Sequence, residues 1–331
     1  MRIERITSLE GLDKLSEKWD EFLFISEQNS IFLTFEWFSS WWKSFSEDNS
    51  LEILIFKDGN EKISGFAPFM SKNNTLQFIA SQEVSDYCDF VMEKERKREF
   101  YEFLLNYLKI NYSGLEKIEL INIKQSSPTL VFLPQLAEKY GFILDCNEIE
   151  VAPFLALPSS YESYLKQLNS KNRHELRRKL KRMDALKEIK IQRIKDTQNL
   201  QSYTDDFIVL HQKSSPVKAK FWQKKGMTDF FREFIYLFSL RNWVELNLLI
   251  FEDKIIAALL NFSYFDRVYF YNSAYDREYA SYSPGLFLFH DSLKQAIQEQ
   301  KKEADFLRGS ERYKYNLGAK DNKVFQIVLS N

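Results

Sequence analysis

The chain has little cysteine, glycine, proline or net charge, and each shortage excludes a class of protein. Its 331 residues include 2 cysteines, 9 glycines and 7 prolines, and 46 basic against 47 acidic residues give a formal net charge of -1. Two cysteines without CxxC spacing exclude a disulfide framework, so we expect a cytoplasmic protein. The balanced charge provides no general attraction for nucleic acid or an anionic membrane, so we expect no stable nucleic-acid partner.

The sequence also lacks a long apolar run. Its most apolar region, residues 246–265, is interrupted by Glu252, Asp253 and Lys254, and residues 1–10 are mixed polar. We therefore expect neither a membrane span nor a signal peptide. The three histidines are scattered, so we expect no metal site. What remains is an aromatic-rich chain, 16% Phe, Trp and Tyr, whose length favours two folded domains.

The order of predicted elements repeats in the two halves of the chain. Pro153 and Pro158 mark a linker, which predicts domains over residues 1–152 and 153–331. The N-terminal half has predicted strands at 51–56, 63–70, 76–80 and 117–123, with a helix near 94–108. The C-terminal half has predicted strands at 243–251, 255–265, 268–273 and 304–308, with a helix at 285–298. This order predicts an α/β (α+β) fold of two tandem units, each a mixed, mainly antiparallel sheet flanked by helices.

A helix start in each half could hold a phosphate, and the two differ in charge. In the C-terminal half, Ser283-Pro284-Gly285 opens the helix without an acidic residue, so its backbone N–H groups can face an anion. In the N-terminal half, Glu93 and Glu95 stand at the corresponding place and would repel one. The pattern therefore predicts a phosphorylated ligand in the C-terminal unit.

A second feature of the C-terminal half is a strongly basic helix. Asn172 and Glu175 have the spacing of a capping pair, and Leu176, Leu180 and Met183 follow at helical spacing. The other faces of this helix carry six basic residues: Arg173, Arg177, Arg178, Lys179, Lys181 and Arg182. Such a charge run is often only a solvated face, but it could also contact a phosphorylated ligand or RNA.

Several motifs in this order resemble the GCN5-related N-acyltransferase (GNAT) superfamily, within it the tandem-domain CelD-like acetyltransferases, and more distantly the FemAB aminoacyltransferases. The motifs that carry the resemblance are Trp37 with Trp41-Trp42, Ala67-Pro68, Ser85-Asp86-Tyr87, Ser170-x-x-Arg173, Tyr275-Asp276, Tyr282-Ser283-Pro284-Gly285 and Asp305-Phe306-Leu307-Arg308-Gly309 with Glu311, Tyr313 and Lys314. The loop 279–285 departs from the superfamily's usual Arg/Gln-x-x-Gly-x-Gly/Ala pattern, since it has a single glycine.

The resemblance implies that acetyl-CoA or another acyl-CoA is the donor, held between the third meander strand and the next strand, with its pyrophosphate at the helix start. The residues that it places at the donor are Tyr271, Asn272, Ser273, Ser283, Gly285, Leu286 and Arg173. In this superfamily a backbone N–H of the third meander strand commonly polarises the reacting carbonyl.

The candidates for the chemistry itself are ionisable groups near strand ends. Asp305, Glu311 and Asp86 are candidates for the base or for a ligand of the acceptor amine, although strand-end acids are often only paired or solvated. By resemblance to the FemAB branch, Lys314 could bind an acceptor phosphate or stabilise an oxyanion, and a surface salt bridge is the alternative. Tyr313 could orient the acceptor or protonate the leaving thiolate, with packing as its alternative.

Two histidines are further candidates. His211 near a helix end and His290 in the predicted donor-binding helix could each be a base near neutral pH, and packing is the preferred role for His290. Asp86 with Tyr87 is expected to contribute to an acceptor cleft from the N-terminal unit.

The sequence thus predicts an acyl-CoA-dependent N-acyltransferase whose partner is a small-molecule amine acceptor. An amino sugar, free or nucleotide-linked, of a surface-polysaccharide pathway is the preferred acceptor, because relatives of this type occur in such pathways. A FemAB-like aminoacyl-tRNA-dependent transferase and a non-catalytic binding module with a decayed site are the alternatives. The acyl group and the oligomeric state stay open.

Overall fold

The chain divides into two units, and its last residues return to the first one. The computed structural model describes residues 1–80, 84–112 and 114–331. Residues 1–150 and 322–331 form the first unit, and residues 151–321 form the second. The sequence prediction placed 322–331 in the second unit. The structure corrects this, because Lys323–Ser330 pairs antiparallel with Lys117–Lys124 and buries Val324, Ile327 and Leu329 there.

The first unit is a mixed sheet with helices around it. Its strands are β1 (Arg2–Ile6), β2 (Ser50–Lys57), β3 (Ile63–Lys72), β4 (Thr75–Phe78), β5 (Val91–Met92), β6 (Lys117–Lys124), β7 (Ile143–Val151) and β14 (Lys323–Ser330). Its helices are α1 (Leu9–Asp13), α2 (Ser16–Ile25), α3 (Phe35–Phe45), α4 (Lys97–Asn111) and α5 (Thr129–Leu136). The strand order is β1-β2-β3-β4-β6-β14-β7, and β5 pairs with β3.

The second unit has the same plan. Its strands are β8 (Phe154–Ala156), β9 (Lys190–Ile194), β10 (Val244–Phe251), β11 (Lys254–Tyr264), β12 (Arg267–Tyr275) and β13 (Glu303–Asp305), in the order β8-β13-β12-β11-β10-β9. Its helices are α6 (Tyr161–Gln167), α7 (Ser170–Asp184), α8 (Thr197–Ser214), α9 (Pro216–Phe221), α10 (Met227–Leu240), α11 (Pro284–Gln298) and α12 (Arg312–Asn316). The predicted fold class and the three-strand meander are therefore confirmed.

The basic helix begins earlier than its predicted cap. Asn169 is the N-cap of α7, and its side chain accepts a hydrogen bond from the Asn172 amide at 2.8 Å. The predicted pair of Asn172 and Glu175 is therefore wrong by one turn. The reason is local: Asn169 has extended backbone angles, so its side chain can reach the free amides of the first turn.

Helix α11 packs on the sheet through one apolar stripe. Pro284 at its first position has the backbone φ that a helix needs and lacks only an N–H that would have no intrahelical partner. Leu288, Phe289 and Leu293 are buried, and the Phe289 ring lies 5.3 Å from the ring of Phe270 on β12. Burial of three such side chains provides on the order of 5 kcal/mol, which holds the start of α11 beside β12.

Strands β12 and β13 pair only briefly and then separate. They run parallel and pair over Arg267–Tyr269 and Glu303–Asp305. A register shift against β11 follows at the next residues of β12, which bends the strand. The chain after β13 pairs instead with residues 151–153, since the Phe306 amide donates to the Pro153 carbonyl at 2.9 Å. The edge of β12 beyond Tyr269 is therefore not covered by β13.

The first unit has a similar parallel strand pair, but here another part of the chain pairs with the second strand beyond it. Strands β4 and β6 pair in parallel over residues 75–77 and 117–119. Beyond them the Cys88 amide donates to the Asn122 carbonyl at 2.9 Å. Phe90 is fully buried, and its ring lies 4.9 Å from that of Phe78. Beyond the parallel pair, β6 is thus paired with the chain at residue 88, whereas a gap between β12 and β13 begins after Tyr269 and Asp305.

Candidate active site in the second unit

The start of α11 presents backbone donors. Ser283, the N-cap, has φ 61° and ψ 48° and makes no side-chain cap hydrogen bond among the described residues. The Phe287 amide donates to the Ser283 carbonyl at 3.2 Å. The N–H groups of Gly285 and Leu286 lie before the first intrahelical bond, at the positive end of the helix dipole. This arrangement stabilises an anion.

The space beside this helix start is open and is not acidic. A Cβ on Gly285 would meet a single heavy atom within 4 Å, the Cδ1 of Tyr275 at an ordinary distance of 3.6 Å. The first turn carries no acidic residue. Arg182 of α7 lies next to it, because its Nη1 donates to the Ser281 carbonyl at 2.7 Å. These residues fit a phosphate or diphosphate group.

Arg173, the predicted phosphate ligand on α7, lies elsewhere. Its Nη1 donates to the Leu165 carbonyl of α6 at 3.1 Å. Arg173 precedes Arg182 by nine positions, which corresponds to about 14 Å along the helix axis. The structure therefore brings Arg182, rather than Arg173, to the start of α11.

The three predicted residues of β12 lie on its uncovered part and have different surroundings. The Tyr271 ring stacks on Phe262 at 4.7 Å, so this side chain belongs to the aromatic layer and its backbone is the part that borders the gap. The Ser273 carbonyl accepts a hydrogen bond from Lys218. Asn272 lies beside the imidazole of His211.

His211 is a buried, neutral imidazole with one defined tautomer. Burial lowers its pKa to about 3, the charge of Lys218 acts in the same direction, and Asn272 opposes the shift. Trp222 Nε1, which can only donate, lies 2.9 Å from His211 Nδ1, so the ring proton must be on Nε2. Nε2 is buried and has no hydrogen-bond partner in the described part of the chain. The sequence allowed His211 to be a base at neutral pH. In the structure its ring is neutral and its Nε2–H is a hydrogen-bond donor.

Lys218 joins this group from α9. Its half-buried ammonium donates to the Ser273 carbonyl of β12. Burial lowers the pKa of Lys218 to about 8, and the carboxylate of Glu311 acts against this shift. Lys218 thus links the edge of β12 electrostatically to the residues that follow β13.

A strained turn after β13 is held by two buried charged side chains. Leu307 has φ 61°, which is unfavourable for a bulky residue. Asp305 is fully buried and accepts a hydrogen bond from the Leu307 amide at 2.9 Å. Lys314 is 2% exposed and donates to the carbonyls of Leu307, Arg308 and Gly309 at 2.9, 2.8 and 2.9 Å. The Lys314 ammonium is therefore directed at this turn.

Glu311 lies over the same turn. Its carboxylate is 2.9 Å from Lys314 Nζ, and its side chain is 58% exposed. A Cβ on Gly309 would lie 2.5 Å from Glu311 Oε2, and Gly309 has φ 108°, so only glycine fits below this carboxylate. Tyr313 packs its ring 4.7 Å from that of Phe289. Burial, assisted by Glu311, raises the pKa of the Tyr313 phenol well above its usual range.

The structure thus gathers most of the predicted residues in the second unit. Gly309, Glu311, Tyr313 and Lys314 surround one turn, and Asp305 supports it. Asp86 is half-buried in the first unit, and its role stays a prediction. In the described ranges, none of the helices has the length and apolarity of a membrane span, and no set of three or more His, Cys, Asp or Glu side chains is arranged to hold a metal.

Residues 170–315 match the family model of the acetyltransferase (GNAT) domain, and this range contains the whole arrangement from α7 to Lys314. The second unit therefore contains an acetyltransferase (GNAT) domain. No curated protein matches the sequence. Its GNAT domain is the second unit, in which the strand gap and the free helix start occur together.

Solved structures show the same fold over nearly the whole chain. FemX aligns with a TM-score of 0.66 at 11% identity, covering 98% of this chain and 97% of FemX. A tandem GNAT protein from the clavulanic acid biosynthesis pathway aligns with a TM-score of 0.58 at 9% identity, covering 100% of this chain and 99% of that protein. L-PGS from Bacillus licheniformis aligns with a TM-score of 0.60 at 9% identity, covering 94% of this chain and 90% of L-PGS. At these identities the likeness concerns the fold.

Sequence reasoning missed Lys218 and Trp222 in the GNAT domain. Lys218 is one of several lysines between residues 213 and 225, and nothing in its immediate neighbourhood distinguishes it. The only local signal is Pro216, which breaks the helical pattern after His211 and turns the chain back toward β12. The bond between Trp222 and His211 spans one short connection and could be inferred only from the fold.

Trp222→Phe tests the tautomer of His211 in the GNAT domain. Without the indole donor, Nδ1 no longer has to be an acceptor, so we expect the neutral ring to populate both tautomers and stability to fall by about 1–2 kcal/mol. Nitrogen-15 NMR of the labelled imidazole measures the tautomer. Trp243→Phe is the matched control and should leave it unchanged. A pure Nε2–H tautomer in Trp222→Phe would show that Trp222 does not set it.

Proposed function

We propose that this GNAT protein is a cytoplasmic acyl-CoA-dependent N-acyltransferase that transfers the acyl group directly to the amine of a small acceptor. An amino sugar, free or nucleotide-linked, of a surface-polysaccharide pathway is the proposed acceptor class. The observation that carries the proposal is the combination of an uncovered β12 edge with an uncapped, acid-free start of α11 in one GNAT domain.

The donor end of the site uses main-chain groups. The amides of Gly285 and Leu286, with Arg182 beside them, would hold the diphosphate of the acyl-CoA. The thioester supplies an activated acyl carbonyl. Main-chain N–H groups of β12 next to its register shift would donate to the carbonyl oxygen, where negative charge develops.

His211 supplies a second, neutral donor at the same edge. Its Nε2–H lies in a buried position near Asn272 of β12, and the proton cannot move to Nδ1 while Trp222 donates there. A neutral donor in a site that excludes water stabilises developing charge without adding a full positive charge. Its removal would therefore lower the rate of acyl transfer more than the affinity for either substrate.

Glu311 is the proposed acceptor of the amine proton. It is the exposed carboxylate of the group, whereas Asp305 is buried and holds the Leu307 amide. An acceptor ammonium must lose a proton before its nitrogen can attack, and a positioned base contributes roughly 10²- to 10⁴-fold. Tyr313 remains protonated because burial raises its pKa, so its hydroxyl can donate a hydrogen bond to the leaving thiolate, which takes its proton from solvent. Asp305 and Lys314 are positioning residues in this scheme.

Substitutions of Gly285 at the start of α11 test whether the diphosphate of the donor binds there. Gly285→Asp and Gly285→Asn add side chains of nearly equal size in the open space beside α11, and only the first adds negative charge. We expect the aspartate variant to bind CoA at least tenfold more weakly than the asparagine variant, about 1.4 kcal/mol, in titration calorimetry. Equal affinities of the two variants would contradict a diphosphate at this position.

A CoA-release assay with acetyl-CoA over amino sugars, nucleotide amino sugars and amino acids then tests the reaction. Release that depends on an amine supports the proposal. No binding of any CoA ester, with no release, would favour a non-catalytic module. Product formation that requires charged tRNA and is lost on ribonuclease treatment would assign the protein to aminoacyl transfer.

A further inference from the structure

A basic groove lies between the first turn of α7 and α12. Its volume is about 850 Å³, and its ionisable lining residues are Lys171, His174, Glu175, Lys179 and Arg312. Three permanent cations therefore face one carboxylate. The groove belongs entirely to the second unit.

The single carboxylate of the groove is already neutralised from outside it. Glu175 accepts two hydrogen bonds from Arg178, at 2.9 Å from Nε and 2.7 Å from Nη2. Lys179 lies 3.8 Å from the same carboxylate. Lys171 and Arg312 are exposed and form no ion pair among the described residues. Two cations are thus available to a ligand, and the paired carboxylate does not cancel them.

Main-chain N–H groups at the start of α7 also favour an anion in the groove. The Asn169 side chain satisfies the amide of Asn172, and the Asn169 carbonyl accepts from the Arg173 amide at 3.0 Å. The N–H groups of Ser170 and Lys171 precede the first intrahelical bond of this 15-residue helix, whose first turn has no acidic residue. Amides, a lysine and an arginine together are the groups that bind phosphate oxygens.

The groove lies beside the proposed reaction site but away from the donor diphosphate. Glu311 is the N-cap of α12, and Arg312 follows it directly. The Asn172 side chain donates to the Tyr315 carbonyl at 3.2 Å, which holds α7 against α12. Lys171 precedes Arg182 by eleven positions, about 16 Å along α7. The 3′-phosphate of CoA, one ribose away from its diphosphate, cannot span that distance.

We infer that this groove binds the phosphate or diphosphate of the acceptor, so that the substrate is a phosphorylated amine such as a nucleoside-diphosphate-linked amino sugar. The inference rests on the proposed function for the identity of the ligand as acceptor. The groove would hold the anionic end, and the amine would reach Glu311 at the start of α12. An uncharged amino sugar would then be a poor acceptor with a high KM.

The test uses uridine diphosphate as the probe, on the full chain with saturating CoA, so that the start of α11 is already occupied. We expect the double variant Lys171→Glu/Arg312→Glu to lower the association constant at least tenfold, and the neutral Lys171→Gln/Arg312→Gln to lower it less. Lys14→Glu/Lys18→Glu, on the exposed surface of the first unit, makes the same change in net charge and should leave uridine diphosphate binding unchanged. Circular dichroism checks that each variant is folded.

Four outcomes separate the possibilities. Unchanged uridine diphosphate binding in both double variants would overturn the inference. If the double variants instead bind CoA more weakly, the groove belongs to the donor, and this result would also overturn the inference. An RNA hairpin that binds at least 100-fold more tightly, with the same sensitivity, would assign the groove to nucleic acid instead. If CoA does not bind wild type but uridine diphosphate binding still depends on Lys171 and Arg312, the proposed function fails and the anion site stands.

Discussion

Lys314→Met should destabilise the second unit by about 3–5 kcal/mol, because it removes a buried charge that four groups depend on. The ammonium donates to the carbonyls of residues 307, 308 and 309 and pairs with Glu311. Methionine fills a similar volume but donates no hydrogen bond, so the carbonyls would stay buried without partners. Leu307 would also lose a contact that holds its positive φ. Urea unfolding of the purified chain, with separate probes for each unit, measures the change.

Lys320→Met is the matched control for this variant. Lys320 has an exposed side chain, so we expect its substitution to change stability by less than about 0.5 kcal/mol. The sequence suggested instead that Lys314 binds an acceptor phosphate or an oxyanion. That role would give a Lys314→Met protein of normal stability with lost activity, and such a result would contradict the role of Lys314 in holding the turn.

Glu311→Gln should lower kcat/KM for the amine acceptor about 100-fold, a barrier increase of about 2.7 kcal/mol. Glutamine keeps the shape and can still accept a hydrogen bond from Lys314, but it cannot take the amine proton. Because the side chain is more than half exposed, we expect the free energy of unfolding to fall by no more than about 1 kcal/mol. Steady-state kinetics with saturating acyl-CoA measure the effect.

The pH profile separates a catalytic role of Glu311 from a structural one. Glu311 raises the pKa of Lys218, so Glu311→Gln should lower that pKa below about 8. If activity requires protonated Lys218, the fall in activity at high pH should then begin at a lower pH. Glu162→Gln, an exposed acid on α6, is the control and should leave both kcat/KM and the profile unchanged. A Glu311→Gln protein with a near-normal rate would remove this residue from the mechanism.

The element order could be predicted because it depends on local patterns. Apolar alternation in 243–251 and 255–265, with charged turns between them, predicted the hairpins that became β10 to β12. Strands β1, β5, β7, β8, β9 and β14 were not predicted. Phe154–Ala156 has too few residues for a pattern, and two of the five residues of Lys190–Ile194 are charged. Such segments become strands only when a neighbouring strand provides the hydrogen bonds.

By itself, the sequence determined the α/β class, the repetition of one unit and the acid-free helix start after Ser283, since capping, periodicity and proline act over a few residues. Tertiary structure alone decided what each ionisable group does. Lys218 meets the Ser273 carbonyl across 55 positions, and burial makes His211 a neutral donor and Lys314 the support of a turn. The physical reason is that hydrogen-bond partners and desolvation, which fix proton positions, come from residues that only folding brings together.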